Sequence, residues 1–226
     1  MVELEGQPED EIESADPIAM VAGNLRDRGL IGPDVQIRTR EEDSGLILPI
    51  STNLQTKRIT FSRDMRALCE DELRFCILHE NAHIQLSRRF SIFVCLAILL
   101  WIVALILLLR GDAFSVLGAI PMLFLGRMVY GSATYRFELK ADYRAGHLMK
   151  SEFHVMHPSM VAKSALSHVR ELKSDKRSRA EKFLRIIGYK HPKDEVRVTG
   201  IAARLDGDVC AVGTTATDSG GQRIGE

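Results

Sequence analysis

Apolar and polar positions divide this chain sharply. Between Phe90 and Tyr130 nearly every residue is apolar and uncharged, whereas the flanking segments mix charged and apolar residues at short intervals. Phe90 to Leu109 holds no charged residue and runs for about twenty residues, the length a helix needs to cross a hydrocarbon core of roughly 30 Å. Arg110-Gly111-Asp112 interrupts the run. Ala113 to Tyr130 then resumes it for about eighteen residues, with Pro121 tolerable as a kink and Arg127 near the end, placed to snorkel to the interface. The pattern predicts a transmembrane hairpin, 90–109 and 113–130.

The flanks carry shorter periodicities. Residues 1–15 are rich in Glu, Asp, Gln and Pro, which predicts a disordered acidic tail. Asp16-Pro17 reads as an N-cap followed by proline at the first helical position, and Ile18, Val21, Ala22 and Leu25 recur at helical spacing until Gly29. Val35 to Arg38 alternates, Leu46 to Ile50 is an apolar run behind a Ser-Gly turn, and Arg58 to Phe61 alternates again, so a small antiparallel sheet is expected. After a turn over Ser62 to Leu68, a helix begins near Glu70 or Asp71, where acidic residues suit the positive end of the helix dipole. No proline or glycine separates it from the first apolar run. Beyond the hairpin, Phe137 to Lys150, Pro158 to Leu172 and Asp175 to Ile187 read as helices, the last of them basic, and the chain from Gly207 onward has the composition of a second disordered tail. The expected class is α+β, mostly helical, with the polar domain divided by the hairpin into 16–89 and 131–205, between tails 1–15 and 206–226.

Composition adds exclusions. The 226 residues carry 30 basic and 30 acidic side chains, so no global field favours nucleic acid as a partner. Cys69, Cys76, Cys95 and Cys210 form no Cys-x-x-Cys pair and read as reduced, mostly buried thiols. The acidic start lacks the apolar segment of a cleavable signal peptide. Arg88 and Arg89 precede the first span and Arg136, Lys140 and Arg144 follow the second, so the positive-inside rule places both polar flanks, both termini and any site on them in the cytoplasm.

One pentapeptide carries chemistry. In His79-Glu80-Asn81-Ala82-His83 the two histidines stand one helical turn apart on one face, a spacing that can hold one Zn²⁺, and Glu80 beside them can take a proton from a water at the metal. A third protein ligand is required. Glu138, in Glu138-Leu139-Lys140-Ala141-Asp142, is the best candidate, with Asp142 one turn on to orient a ligating histidine. His83 lies about seven residues before the first span and Glu138 about eight after the second. Helical links at 1.5 Å per residue put both roughly 10 to 12 Å from the membrane, on one side of it.

Ile77 to His83, a hydrophobic hairpin, and Phe137 to Asp142 together resemble the integral-membrane zinc endopeptidases of the HtpX and CAAX prenyl protease kind. The resemblance covers about residues 17 to 205, with Asn81 and Ala82 departing from the usual motif. It implies a zincin-like metalloprotease domain with His79, His83 and Glu138 as zinc ligands, Glu80 as catalytic base and Asp142 as the partner behind a ligand. It also implies that His191-Pro192 and Arg197 lie near the cleft, His191 behind the ligands and Arg197 either stabilising an oxyanion or holding substrate backbone, against the alternative of a surface arginine at a helix start. The expected function is a membrane-anchored zinc metalloendopeptidase acting on protein or peptide substrates at the lipid bilayer, in quality control. A protease-type signal transducer and a catalytically silent scaffold are the alternatives. His147, His154, His157 and His168 lack matching spacing and read as surface or packing residues.

Overall fold

The computed structural model describes residues 16–40, 49–172 and 191–207. The first predicted tail, nearly all of the second, most of the Leu46 to Ile50 run, the basic helix over Asp175 to Ile187 and Cys210 lie outside the described residues.

Helix α1, Pro17–Asp27, starts where the sequence places it: Asp16 accepts the Ile18 N–H at 3.1 Å, and proline occupies the first turn. The same carboxylate accepts Thr39 Oγ1 at 2.6 Å and Arg66 Nη2 at 3.2 Å, tying the helix start to the strands. Ile18, Val21 and Leu25 point inward and pack with Ile59 and Phe61 of the sheet and Leu73 and Ile77 of the next helix. Burying each such side chain contributes on the order of 1.5–3 kcal/mol, so the core under the motif helix is built from one side of α1 and one face of the sheet.

Three strands form that sheet: β1 Gln36–Arg40, β2 Ile50–Asn53 and β3 Arg58–Ser62. Their order is β1-β3-β2. β2 and β3 make an antiparallel hairpin whose turn is held by Asn53 Oδ1, which accepts the Gln55 and Thr56 N–H groups at 3.0 and 3.1 Å. β1, however, pairs with β3 in parallel, Gln36 opposite Arg58 through Arg40 opposite Ser62. The expected antiparallel sheet is therefore corrected to a mixed one. The reason is that side chains alternate with period two in both arrangements, so alternation reports a strand but not the direction of its neighbour.

A short 3-10 turn, Arg63–Ala67, leads into α2, Glu70–Arg110, which is 41 residues long. Glu72 closes its first turn by accepting the Cys69 N–H at 3.1 Å. Gly111, at φ +74°, ends it in the left-handed conformation that suits glycine. Asp112 then caps α3, Ala113–Phe153, also 41 residues, by accepting the Ser115 N–H at 2.9 Å. Each helix is about 60 Å long at 1.5 Å per residue, and both are long and apolar enough to cross a membrane. The sequence divides α3 into a span and a separate helix; in the structure they are one element, Pro121 included.

The two helices pack along small residues. Ala97 and Ala104 on α2 face Ala119, Gly126 and Ala133 on α3, all buried and repeating every seventh position, the interval at which one seam of a helix pair recurs. A Cβ on Gly126 would stand 2.5 Å from Trp101 Nε1, so only glycine admits the indole there. The large apolar residues point the other way: Leu99, Ile106 and Phe124 are each more than half exposed. Cys95 also faces outward and Cys69 is exposed, which leaves Cys76 as the only buried thiol among the described residues and corrects the expectation of mostly buried cysteines.

Helices α4, Pro158–Leu172, and α5, Asp194–Leu205, close the polar domain against the ends of α2 and α3. Ser164 and His168 of α4, one turn apart, both reach buried Glu72 on α2, His168 Nδ1 at 2.9 Å. The other three histidines set aside from the motif, His147, His154 and His157, form no metal-type group among the described residues.

Candidate active site

The helix carrying His79 and His83 and the helix carrying Glu138 are α2 and α3, so the seam that joins the apolar runs also fixes the site. The side chains of His79, His83 and Glu138 are buried and meet between the helices. His79 Nε2 lies 3.0 Å from His83 Nε2, and each lies 3.7 Å from an oxygen of Glu138. Three atoms that prefer to accept therefore face one point. Tetrahedral coordination with bonds of about 2.0–2.1 Å separates ligand atoms by roughly 3.3 Å, and one ligand atom from each of the three residues lies within 4.8 Å of the others, so modest side-chain adjustment would let the group hold a zinc-sized ion. A nitrogen, nitrogen, oxygen set of this kind suits Zn²⁺.

The orientation of His79 is set from behind. Its Nδ1 is 3.0 Å from Asp142 Oδ1, at hydrogen-bonding distance though off the ideal N–H angle, which leaves Nε2 with a free lone pair toward Glu138. Asp142 is held in turn by Arg197, whose Nε and Nη2 donate to its two oxygens at 2.7 and 2.6 Å. Burial would raise the Asp142 carboxyl, but the charge of His79 and the Arg197 hydrogen bonds hold it well below the usual carboxylate range. Burial would lower His79; the Asp142 carboxylate outweighs that and raises it. Burial and the neighbouring His79 keep His83 well below the ordinary histidine value, hence neutral, and burial pushes Glu138 up despite the pull of His79 and Arg197.

Arg197 is not the surface arginine of one alternative: it is buried at 5% exposure. Its fork is committed to Asp142, and Nη2 is also 4.0 Å from Glu138 Oε2. Gly146 makes this reach possible. It lies one turn from Asp142 on α3, and a Cβ there would come within 2.9 Å of Leu205 Cδ1 and 3.2 Å of Ile201 Cγ2, so its bare backbone lets α5 approach. His191 stands at the rim, half exposed, with Nε2 3.5 Å from Glu138 Oε2.

Glu80 lies beside the histidines, where it accepts the Thr52 hydroxyl at 2.6 Å. Thr52 belongs to β2, an edge strand, so the sheet's open edge runs past the motif helix. Sequence reasoning missed Thr52, and its only trace there is its proximity to a β hairpin. It also missed Phe137, whose ring lies 4.5 Å from that of His83 and 4.4 Å from that of Phe90.

Two helical histidines, a carboxylate from the facing helix and a glutamate beside them define a metallopeptidase. The chain belongs to peptidase family M48, whose family model matches residues 51–205, from β2 to the end of α5. No curated protein and no solved structure matches the chain.

Proposed function

We propose that the chain is a membrane-anchored zinc endopeptidase that hydrolyses peptide bonds of proteins at or near the bilayer surface. The convergence of His79 Nε2, His83 Nε2 and Glu138 beside Glu80 and the open edge of β2 carries this reading. His79, His83 and Glu138 hold one Zn²⁺ per chain, and Asp142 with Arg197 behind it locks the His79 ring. When bound, Zn²⁺ supplies a Lewis acid for the scissile carbonyl and acidifies water toward neutral pH.

Glu80 takes the proton of the attacking water and passes it to the leaving amine. The Thr52 hydroxyl aims the Glu80 carboxylate while leaving its other oxygen free for that proton. An extended substrate adds to β2 as a further strand, using backbone hydrogen bonds that read no particular sequence. His191, at the rim beside Glu138, faces that substrate.

The apolar hairpin, residues 90–130, anchors the domain. Its outward Leu99, Ile106 and Phe124 favour lipid over water. Because α2 and α3 run unbroken from hairpin to site, the ligands stand about two helical turns beyond the apolar segment. Juxtamembrane segments of membrane proteins are then the substrates within reach, and removal of damaged ones is the role proposed. The basic residues flanking the hairpin put the site and both flanks on the cytoplasmic side.

The test compares detergent-purified wild type with Glu80→Gln for bound metal and casein cleavage. One zinc in each, with cleavage lost only in the variant, is the expected result. Absence of metal from the wild type would overturn the proposal.

A further inference from the structure

Just below the site, the groove between α2 and α3 holds a cavity of about 380 Å³. Its charged residues are gathered at one end, beside Leu86 and Phe137. Toward the hairpin tip it is lined by Phe90 and Phe93 of α2 and Met128 of α3, and toward the site by Arg89, Arg136 and Lys140. Arg136 and Lys140 are one turn apart on the face of α3 that meets Arg89. Some cations have carboxylates beside them: Arg66 has Asp16, Arg74 has Asp71, and Arg197 has Asp142. None of the three groove cations forms an ion pair or hydrogen bond with a described residue. Three unpartnered positive charges thus converge where an apolar slot begins.

We infer that this groove seats one anionic glycerophospholipid of the bilayer, its phosphate at Arg89, Arg136 and Lys140 and the upper part of one acyl chain along Phe90, Phe93 and Met128. The inference rests on the membrane-anchored reading. Cations at the edge of an apolar slot match an amphiphile with a negative head and an apolar tail, the charge complementarity by which basic pockets between transmembrane helices bind lipid headgroups. The cavity is smaller than a whole lipid, so the remaining chain stays among its neighbours. The seat adjoins the site, since Phe90 stacks on Phe137 and the Phe137 ring lies tilted against that of His83.

The test reconstitutes the full chain into phosphatidylcholine nanodiscs containing a minority of phosphatidylglycerol, releases it in mild detergent and counts retained lipids by native mass spectrometry. One phosphatidylglycerol held in preference to phosphatidylcholine is expected. The preference should fall by about fivefold for each cation removed in the combined variant R89Q/R136Q/K140Q. It should persist in R88Q/R144Q, which removes same-end charges that do not line the groove. Equal retention of the two lipids, or equal loss in both variants, would overturn the inference, the second outcome showing that charge attracts lipid without a seat. A lipid-insensitive chain that still enters the nanodiscs sinks the seat alone, whereas a chain that does not enter the nanodiscs sinks the seat and the membrane reading together. Where the combined variant fails to fold, the single variants R89Q, R136Q and K140Q take its place, each expected to lower the preference about fivefold while R88Q/R144Q keeps it.

Discussion

Thr52 on the edge strand and Glu80 on the motif helix are joined by a hydrogen bond of 2.6 Å, which among the described residues is the polar link between the sheet and the proposed catalytic base. Thr52→Val keeps shape and removes the donor, so zinc content should hold while kcat falls by on the order of tenfold through loss of orientation. Thr52→Ser should restore most of it. Steady-state kinetics on a fluorogenic peptide, with metal analysis beside them, check this.

Asp142 orients His79 and is held by Arg197. Asp142→Asn should weaken zinc binding by roughly 10–100-fold, as changes behind a ligating histidine do. Competition with a chromogenic chelator measures it, and unchanged affinity would remove Asp142 from the metal site. Arg197→Lys, which keeps the charge but not the fork, should fall between wild type and Asp142→Asn.

Gly146 sets the distance between α3 and α5. Gly146→Leu places atoms where Leu205 and Ile201 already stand, and overpacking of that kind costs about 1–3 kcal/mol. Tm should drop, and bound zinc with it, because α5 carries Arg197. Full stability and full zinc in this variant would show that α5 can shift without consequence.

Removing the metal should destabilise the fold as well as stop activity. The His79, His83 and Glu138 atoms would face one another uncompensated, and a ligand that binds only the native state contributes stability by mass action. Tm should fall on adding a chelator and recover on adding Zn²⁺.

Glu72 gives an acid limit. Burial would raise its carboxyl, but hydrogen bonds from Ser164, the Cys69 N–H and His168 hold it below the ordinary glutamate value. A lowered folded pKa means that its contribution is whole above the unfolded value, about 4.3, and is lost as pH falls through the lower folded value. Denaturant unfolding from pH 6 to pH 3 should show that loss in wild type and a shallower one in Glu72→Gln. Parallel slopes would assign acid sensitivity elsewhere.

The sequence by itself determined the hairpin, the motif helix and Glu138. Length and apolarity alone make a segment long enough to cross a membrane, the absence of a breaker between Glu70 and Leu109 keeps the motif helical, and nearly equal numbers of helical residues on either side of the hairpin bring His83 and Glu138 to one level. These are properties of neighbours in the chain. Tertiary structure decided the rest. Whether β1 runs with or against β3, that Thr52 reaches Glu80, and that Arg197 spends its guanidinium on Asp142 all depend on partners 22 to 55 residues away. Local periodicity is the same whichever partner is chosen, and the choice is made by which apolar faces can close on one another, as Gly146 does in letting α5 down onto α3.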